Sequence, residues 1–390
     1  MSRREALAGP NFSGRSAALL AMLRERAAPA FFVGPYAEAA LSGLTSSVAD
    51  ELALYHGEPP QPRPPLAALD LAGLARRKPQ SLSGGEQVLL ALHCFAQSAY
   101  GAIAVDTALE QLDPANRVAA LAFLDSGAFD VALIDNRIVP DAWERRDFAA
   151  GDGYRIDWPR LAQTVTAQDG KAITVTELDF AYAGGRQIFS KASVTLAPGT
   201  AHRLSGANGA GKTTFLKLLV GALAPDAGEV RLGGEPYRPW RDGNGAFALA
   251  TQNPDQQWCG ATLREDLARR RQALGTRART LEDARMSKLA NALSIESLDA
   301  HLYELPLAAR KRVSWLWPLA GAHPWIMLDE PTLGQDRATR EQFARLIEIV
   351  CARGYGVIFV THDDEFAAML PHRRLLIENR AISSPAQTAE

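Results

Sequence analysis

The residues best suited to chemistry lie in a glycine-rich loop at residues 206–213. These eight residues fit the pattern G-x-x-x-x-G-K-[ST], which ends here in Gly211, Lys212 and Thr213. Residues 200–204 read as a short strand before the loop, and residues 214–223 read as a helix after it. Glycines let successive main-chain N–H groups curl around phosphate oxygens, and the start of a helix adds a favourable field for anions. The pattern therefore predicts a nucleotide site.

The residue types of the loop predict which group each side chain binds. Lys212 would reach the β- and γ-phosphates of the nucleotide, and the Thr213 hydroxyl would ligate Mg²⁺. The residues expected to surround the phosphates are Gly206, Ala207, Asn208, Gly209, Ala210, Gly211, Lys212, Thr213 and Thr214.

The elements that must position this loop repeat along the chain. Residues 82–86 (Leu-Ser-Gly-Gly-Glu) precede residues 305–309 (Leu-Pro-Leu-Ala-Ala) by 223 positions, and the same offset relates Asp113 to Asp336. Residues 9–16 align with the glycine-rich loop at the smaller offset of 197, so the first copy is shorter after its loop. A nearly constant offset predicts two copies of one domain.

The two copies have different extents. We expect the first copy at residues 1–156, a linker at residues 157–171 and the second copy at residues 172–390. In the second copy, residues 173–195 predict two strands and residues 226–245 predict short antiparallel strands, for which the first copy has no counterpart. The expected fold class is α/β, with two tandem nucleotide-binding domains of which the first is trimmed and lacks the antiparallel β layer.

Further polar and aromatic positions accompany the loop in a fixed order. In the second copy they are Tyr182, Gln252, Asp329, Glu330 and His362. This order resembles the ATP-binding cassette (ABC) family, with its Walker A and B motifs, Q-loop and switch histidine. Residues 82–86 resemble the signature motif of the same family. The resemblance covers nearly the whole chain and implies P-loop NTPase domains that use ATP and Mg²⁺.

The resemblance assigns roles to the polar side chains of the second copy. Glu330 would orient and deprotonate the attacking water as a general base, and His362 would contact the γ-phosphate as a second catalytic residue. Asp329 would hold Mg²⁺ through water, with Thr213 and Gln252 as the other metal-site residues.

Three of these positions have a second expected role or a plain structural alternative. Gln252 would contact a docking partner as well as the metal site. Tyr182 would stack on adenine, and the alternative is a simple core aromatic. The alternative for His362 is an ordinary histidine at the end of a strand.

In this family the signature motif acts on the nucleotide held by the opposite cassette. The Ser83 hydroxyl and the N–H groups of Gly84 and Gly85 would open a helix that points at the γ-phosphate, with Glu86 completing the motif. Asp113 would be the aspartate of the D-loop. Intramolecular pairing of the two copies would therefore make one complete site.

The other site that such pairing would make is altered on both sides. Phe12 and Arg15 take the places of a loop glycine and of the loop lysine, while Thr107 and Asn136 take the places of the general base and the switch histidine. Pro306 takes the place of the signature serine and lacks an N–H group. We expect this degenerate site not to hydrolyse ATP.

A basic run follows the altered signature of the second copy. Arg310, Lys311 and Arg312 could contact nucleic acid, but a solvated or phosphate-facing helix start is the favoured interpretation. Trp315 and Trp317 on the same helix are predicted to be core residues rather than a platform for a ligand.

Residues 252–257 (Gln-Asn-Pro-Asp-Gln-Gln) are similar to the Q-loop of the energy-coupling factor importers, which take up vitamins or transition metal ions. The resemblance implies an ATP-hydrolysing subunit in the cytoplasm, peripheral on the inner face of the cell membrane. Its partners would be a transmembrane coupling subunit and a substrate-binding membrane subunit. The alternatives are a soluble ABC ATPase associated with nucleic acid or ribosomes, and an ATP-sensing regulator.

Composition narrows these classes. The 390 residues carry a formal net charge of −2, so no general attraction to nucleic acid or an anionic membrane follows, and no nucleic-acid partner is expected. The three cysteines have neither metal-ligand spacing nor a disulfide pattern, which suits a reducing cytosol. No signal peptide and no uncharged apolar run of the ~20 residues that span a bilayer is seen. Work at a membrane would require docking on another chain.

Overall fold

The computed structural model divides the chain into two compact units. Unit 1 comprises residues 1–153 together with Leu333–Ala338, and unit 2 comprises Tyr154–Thr332 and Thr339–Glu390. The residues that the structure describes are 2–11, 13–25, 29–64, 66, 71–137, 140–149, 155–183, 185–207, 209–242, 245–274, 283–295, 297–320 and 323–384.

Unit 1 is built on a five-stranded sheet whose described strand pairs are all parallel. Its strands are β1 (Arg4–Ala8), β2 (Ala30–Val33), β3 (Ala102–Asp106), β4 (Asp130–Ile134) and β5 (Glu144–Asp147), in the order β2-β3-β4-β1-β5. Its helices are α1 (Arg15–Glu25), α2 (Val48–Leu54), α3 (Leu71–Leu74), α4 (Gly84–Ala96) and α5 (Pro114–Ser126). β3 is buried along its whole length, as expected of a parallel strand covered by helices.

Unit 2 contains two sheets. The strands are β6 (Ile173–Ala181), β7 (Gln187–Leu196), β8 (Ala201–Ser205), β9 (Ala227–Leu232), β10 (Glu235–Pro236), β11 (Phe247–Ala250), β12 (Trp325–Asp329), β13 (Gly356–Val360), β14 (Arg373–Glu378) and β15 (Ala381–Ser383). An antiparallel sheet has the order β10-β9-β6-β7, and a six-stranded sheet has the order β11-β12-β13-β8-β14-β15. The strands predicted at 173–195 and 226–245 are thereby confirmed.

The helices from residue 154 onward cover these sheets. They are α6 (Trp158–Thr164), α7 (Lys212–Leu219), α8 (Pro239–Asp242), α9 (Leu263–Leu274), α10 (Asp283–Ala292), α11 (Leu307–Ala320), α12 (Arg337–Ala352) and α13 (Asp364–Ala368). α12 buries an apolar stripe that includes Phe343, Leu346 and Ile347, because these positions recur at helical spacing. β12 and β13, both fully buried, form the centre of the unit.

The parallel sheets of the two units share one strand order. Counted along the chain, the strand before the glycine-rich loop (β8) corresponds to β1, and β11, β12, β13 and β14 correspond to β2, β3, β4 and β5. With this correspondence, the order β2-β3-β4-β1-β5 becomes β11-β12-β13-β8-β14, which is the order observed.

The predicted linker at residues 157–171 is wrong. Residues from Tyr154 onward belong to unit 2, and α6 packs Leu161 and Val165 into its core. Asp157 caps this helix by accepting from the N–H of Arg160. Pro159 was taken as a sign of a linker, but it lies in the first helical turn, where a proline costs no hydrogen bond.

The predicted core positions of the two tryptophans on α11 are confirmed, since Trp315 and Trp317 are both buried. None of the helices among the described residues combines the length and the apolar character that crossing a bilayer would require.

Candidate functional site

The glycine-rich loop joins β8 to α7, as its pattern predicts. Gly206 and Gly211 have φ of +149° and +111°, values that side chains with a Cβ rarely adopt. A Cβ at Gly211 would lie 2.4 Å from Cγ2 of Ile188, and one at Gly206 would lie 2.7 Å from the carbonyl oxygen of Ile377. The loop therefore packs so closely that glycine is required. Asn208 lies outside the described residues.

Lys212 lies over the inner side of this loop. Its Nζ donates to the carbonyl oxygens of Gly206 at 2.8 Å and Ala207 at 3.2 Å. Burial lowers the pKa of Lys212, while the nearby carboxylates of Glu330 and Asp329 act in the opposite direction. A cation held over a ring of main-chain groups fits a loop that takes phosphates.

Asp329 ends β12 beside the loop. The Thr213 hydroxyl donates to its Oδ2 at 3.0 Å, which brings together the two oxygen groups expected at the metal. Burial raises the pKa of Asp329 to about 6; the neighbouring Glu330 adds to this rise, and the bond from Thr213 opposes it. Hydroxyl and carboxylate oxygens are the donors that Mg²⁺ prefers.

Glu330 follows Asp329 in a left-handed conformation with φ of +46°, and its N–H donates to the carbonyl of Val360 at 3.0 Å. Its side chain reaches across to the end of β13. There the main-chain N–H of His362 donates to both carboxylate oxygens, at 3.2 and 3.3 Å. The His362 ring lies beside the same group, with Nε2 3.8 Å from Oε1. The structure therefore brings the two predicted catalytic residues together.

Tyr182 and Gln252 also lie near these groups. The Tyr182 hydroxyl is 3.0 Å from Oγ1 of Thr214, and its side chain is 39% exposed, so it is not a plain core aromatic. Gln252 follows β11, the neighbour of β12, and its carbonyl oxygen accepts from Lys311. The sequence reasoning missed Arg186, which donates to the carbonyl of Gly209 at 3.0 Å. Its place in the β6–β7 turn after Tyr182 was the available signal.

The solvated form of the helix start that was predicted for the basic run is wrong. Lys311 and Arg312 are each only 2% exposed, and Arg310 forms an ion pair with Asp255. The Lys311 ammonium lies beside the carboxyl groups of Glu330 and Asp329, and burial lowers its pKa to about 8. No spacing in the sequence marks this burial, because residues 311–320 of α11 are buried without a break.

The signature residues open helix α4 in unit 1. Ser83 is the N-cap, and it forms a capping box with Glu86: the main-chain N–H of Ser83 donates to Oε2 of Glu86 at 2.7 Å. Gly84 and Gly85 are the first residues of the helix. Asp113 has the same capping role at α5, where its Oδ1 accepts from the N–H of Asn116 at 2.9 Å.

The loop of unit 1 is bonded to its own arginine. The buried guanidinium of Arg15 donates to the carbonyl of Gly9 at 2.6 Å, to Oδ1 of Asn11 at 3.0 Å and to Oδ1 of Asn136. Arg15 thus joins the loop to the position that corresponds to His362. Phe12 lies outside the described residues.

Thr107 adopts the same left-handed conformation as Glu330, with φ of +55°. Its N–H donates to the carbonyl of Ile134 at 2.8 Å, but its side chain has no carboxylate. A different carboxylate, Glu110, accepts from the N–H of Asn136 at 3.0 Å and from the N–H of Gly334 at 3.0 Å. Burial raises the pKa of Glu110 to about 7, and the nearby Asp135 adds to the rise.

Comparisons with known proteins agree with this geometry. The ABC transporter family model matches residues 189–333. The cobalt import ATP-binding protein CbiO of Rhodobacter capsulatus is 33% identical over 217 residues, which cover 54% of this chain and 77% of that protein. The Nod factor export ATP-binding protein I of Paraburkholderia xenovorans is 34% identical over 211 residues, which cover 53% of this chain and 68% of that protein.

A further relative and a solved structure align with a similar share of the chain. The putative HMP/thiamine import ATP-binding protein YkoD of Bacillus subtilis is 27% identical over 228 residues, 57% of this chain and 41% of that protein. The structure of cbiO1 from Clostridium perfringens, part of the complex cbiONQ, has a TM-score of 0.47 and 22% identity, covering 55% of this chain and 88% of that chain. From the family match and the extent of the similarity to CbiO, the chain belongs to the ABC transporter ATP-binding family, whose α/β P-loop domains bind ATP and act as ATPases.

Proposed function

We propose that this chain is the ATP-hydrolysing subunit of an importer of the energy-coupling factor type, with one composite catalytic site and one degenerate site. The observation that carries the proposal is the group at the ends of β12 and β13. There the Glu330 carboxylate is held beside His362, next to the pair formed by Thr213 and Asp329.

Two tandem ABC domains are supported by the shared strand order of the two parallel sheets. In both units a loop follows the fourth strand of that order, and the residue after the aspartate of β3 or β12 is left-handed. These residues, Thr107 and Glu330, both donate their N–H to the last residue of the neighbouring strand. The resemblance is thus local as well as topological.

The chemistry proposed for the second copy follows from its side chains. Lys212 and the main chain of the loop hold the phosphates of ATP, and Tyr182 offers its ring to the adenine. Glu330 accepts a proton from the attacking water at its carboxylate, and His362, which lies beside Glu330, would contact the γ-phosphate. Mg²⁺, when bound, neutralises charge that develops on the phosphate oxygens.

Thr213 and Asp329 fit this Mg²⁺, with Gln252 as the third predicted residue of the metal site. Among the described residues, no group of three or more His, Cys, Asp or Glu side chains is placed to hold a metal ion. The pair of Thr213 and Asp329 suits Mg²⁺, because this ion usually keeps several water ligands and binds substrate phosphates rather than occupying a site made only of protein groups.

The composite nature of the site is proposed from the signature of the first copy. Ser83, Gly84 and Gly85 present a capped helix start, and helix starts bind anions. The segment Leu333–Ala338, which follows β12 in the chain, belongs to unit 1 and carries Asp336, the counterpart of the D-loop residue Asp113. In this segment the N–H of Gly334 donates to the Glu110 carboxylate, and the Asp336 carboxylate accepts from the N–H of Asn11.

The degenerate character of the other site is supported by Arg15. Its guanidinium takes the place of the loop lysine and is bonded to Gly9, Asn11 and Asn136 within unit 1. Without a carboxylate at Thr107, this site lacks a general base, whose loss removes about 10²–10⁴-fold of rate.

Import is proposed from the Gln-Asn-Pro-Asp-Gln-Gln sequence at 252–257 and from the names of two relatives, which describe cobalt import and HMP/thiamine import. The partners would be a transmembrane coupling subunit and a substrate-binding membrane subunit, with the chain peripheral on the inner face of the membrane. The substrate would be a vitamin or a transition metal ion.

Uptake by the host cell tests this proposal. A chromosomal Glu330→Gln substitution should abolish the uptake of one labelled substrate from a panel of cobalt, nickel and thiamine, and the chain should sediment with the membranes. Unchanged uptake of the whole panel, together with a chain that stays in the supernatant, would contradict the importer and favour a soluble ATPase.

A further inference from the structure

The side-chain ammonium of Lys311 contacts two residues of the proposed catalytic site, Gln252 and Glu330. Its Nζ donates to the carbonyl oxygen of Gln252 at 2.6 Å and to the carbonyl oxygen of Glu330 at 2.9 Å. The first acceptor belongs to the Q-loop and the second to the general base. All three residues lie in unit 2.

The position of Lys311 in the protein interior makes this arrangement demanding. A buried ammonium is strongly destabilising unless hydrogen bonds and opposite charges surround it. Lys311 is 2% exposed, and its neighbours include the carboxylates of Glu330, Asp329 and Asp255. Next to it on α11, Arg310 forms an ion pair with Asp255, so two successive side chains hold the residues 252–255.

A comparison with unit 1 shows whether the left-handed turn at Glu330 needs this lysine in order to form. Thr107 corresponds to Glu330, and it adopts the same left-handed conformation with the same hydrogen bond to the next strand. The counterpart of Lys311, at the offset of 223, is Val88, a buried residue that offers no donor. The turn therefore forms without a lysine. The lysine is present in the copy that retains both the glutamate and the glutamine.

A left-handed residue other than glycine is strained and persists only where its surroundings determine it. In Glu330 the N–H is held by Val360 and the carbonyl is held by Lys311. The peptide groups on both sides of the Glu330 Cα are thereby fixed, and this fixes the direction in which the side chain leaves the main chain.

From these contacts we infer that Lys311 is a positioning residue for ATP hydrolysis. It holds the main chain of Glu330 and the main chain of Gln252 in one arrangement, so that the carboxylate is set for proton abstraction while the Q-loop is in place. The inference rests on the proposed function, in which Glu330 is the general base.

The test compares Lys311→Met with wild type in the full-length chain. Methionine keeps the length and the apolar stem but removes the donors. The rate kcat should fall by about 10²-fold, the cost of moving a reacting group by about 1 Å. The KM for MgATP and the affinity for a non-hydrolysable ATP analogue should stay within about threefold, since the Lys311 ammonium donates to Gln252 and Glu330, outside the glycine-rich loop. Lys311→Gln keeps N–H donors on a shorter side chain, so its kcat should lie between those of wild type and Lys311→Met.

The control is Lys288→Met, the same change at an exposed position of α10, which should leave kcat unchanged. Hydrogen exchange should show faster exchange in a peptide that covers residues 248–258 in Lys311→Met and not in the control. A lysine that only stabilises the fold would lower the melting temperature without this local effect or the selective loss of kcat.

A double-mutant cycle decides whether Lys311 acts through Glu330. In the Glu330→Gln background, Lys311→Met should lower the single-turnover rate no further. An equal fold-loss in both backgrounds, or an unchanged kcat in both lysine variants, would overturn the inference. If instead Glu330→Gln hydrolyses ATP like wild type, the proposed function fails and not the inference alone.

Discussion

The main-chain N–H of His362 donates to both carboxylate oxygens of Glu330, at 3.2 and 3.3 Å, although 32 residues separate them. The bonds follow from the pairing of β12 with β13, because the carboxyl ends of neighbouring parallel strands meet at the same edge of a sheet. The Glu330 carboxylate is thus held by a main-chain donor at the edge of the sheet where the two strands end.

Glu330→Gln should keep this geometry, because the amide oxygen accepts from the same N–H of His362. Without a base, ATP hydrolysis should fall by about 10²–10⁴-fold, and the variant should retain bound nucleotide. Phosphate release and a filter-binding count of labelled MgATP measure the two effects. We expect one nucleotide for each chain. Two nucleotides would contradict a degenerate first site, and undiminished hydrolysis would contradict the role of Glu330.

Arg15→Ala should destabilise unit 1 and leave the nucleotide count at one. The guanidinium donates hydrogen bonds to Gly9, Asn11 and Asn136. Each buried acceptor that loses its donor lowers the free energy of unfolding by about 1–3 kcal/mol. Urea unfolding measures the loss of stability. Arg15→Lys is the matched variant, since it keeps the charge without the planar fork, and it should fall between wild type and alanine. A second bound nucleotide in Arg15→Ala would show that this side chain alone closes the site.

Glu110 should make the stability of unit 1 depend on pH near neutrality. Its pKa in the folded protein is raised from 4.5 to about 7 by burial, so the folded state holds a proton that the unfolded state has lost. Its contribution to stability is therefore full below about pH 4.5 and declines as pH rises toward about 7.

The variant Glu110→Gln cannot ionise and should remove this decline. Its melting temperature relative to wild type should rise between pH 5 and about pH 8, the window of the shift. The surface carboxylate Glu38, also in unit 1, supplies the control Glu38→Gln, whose difference from wild type should not vary with pH in this way. A parallel course for Glu110→Gln and wild type would show that Glu110 is ionised throughout this range.

The sequence predicted the parts of the site that depend on strand ends and on loop spacing. Thr213 and Asp329 meet because Thr213 lies in the first turn of the helix after the loop and Asp329 ends a buried strand. Both features can be predicted from local sequence patterns. The αβ topology brings such positions to one edge.

Other parts of the site depend on side-chain direction, which no local pattern contains. The composition of Arg310, Lys311 and Arg312 predicts a solvated face, but Lys311 and Arg312 belong to the continuous buried stretch of α11. Arg15 could equally have pointed to solvent, and only the packing of unit 1 places it on Asn136. At Pro159 the error had another source, since a proline at a helix start and a proline in a linker read alike.

Ser83→Ala tests the proposed pairing of the two copies within one chain. The substitution removes the capping box of α4, and Ser47→Ala removes the N-cap of α2 in the same unit, where Ser47 accepts from the N–H of Asp50 at 3.1 Å. Each cap contributes about 1 kcal/mol, so both variants should lose similar stability. Only Ser83→Ala should lose ATP hydrolysis, by about 10²-fold, because a donor to the transition state is removed from the site. If Ser83→Ala hydrolyses ATP as fast as Ser47→Ala, the signature of the first copy does not serve the nucleotide of the second, and the composite site is wrong.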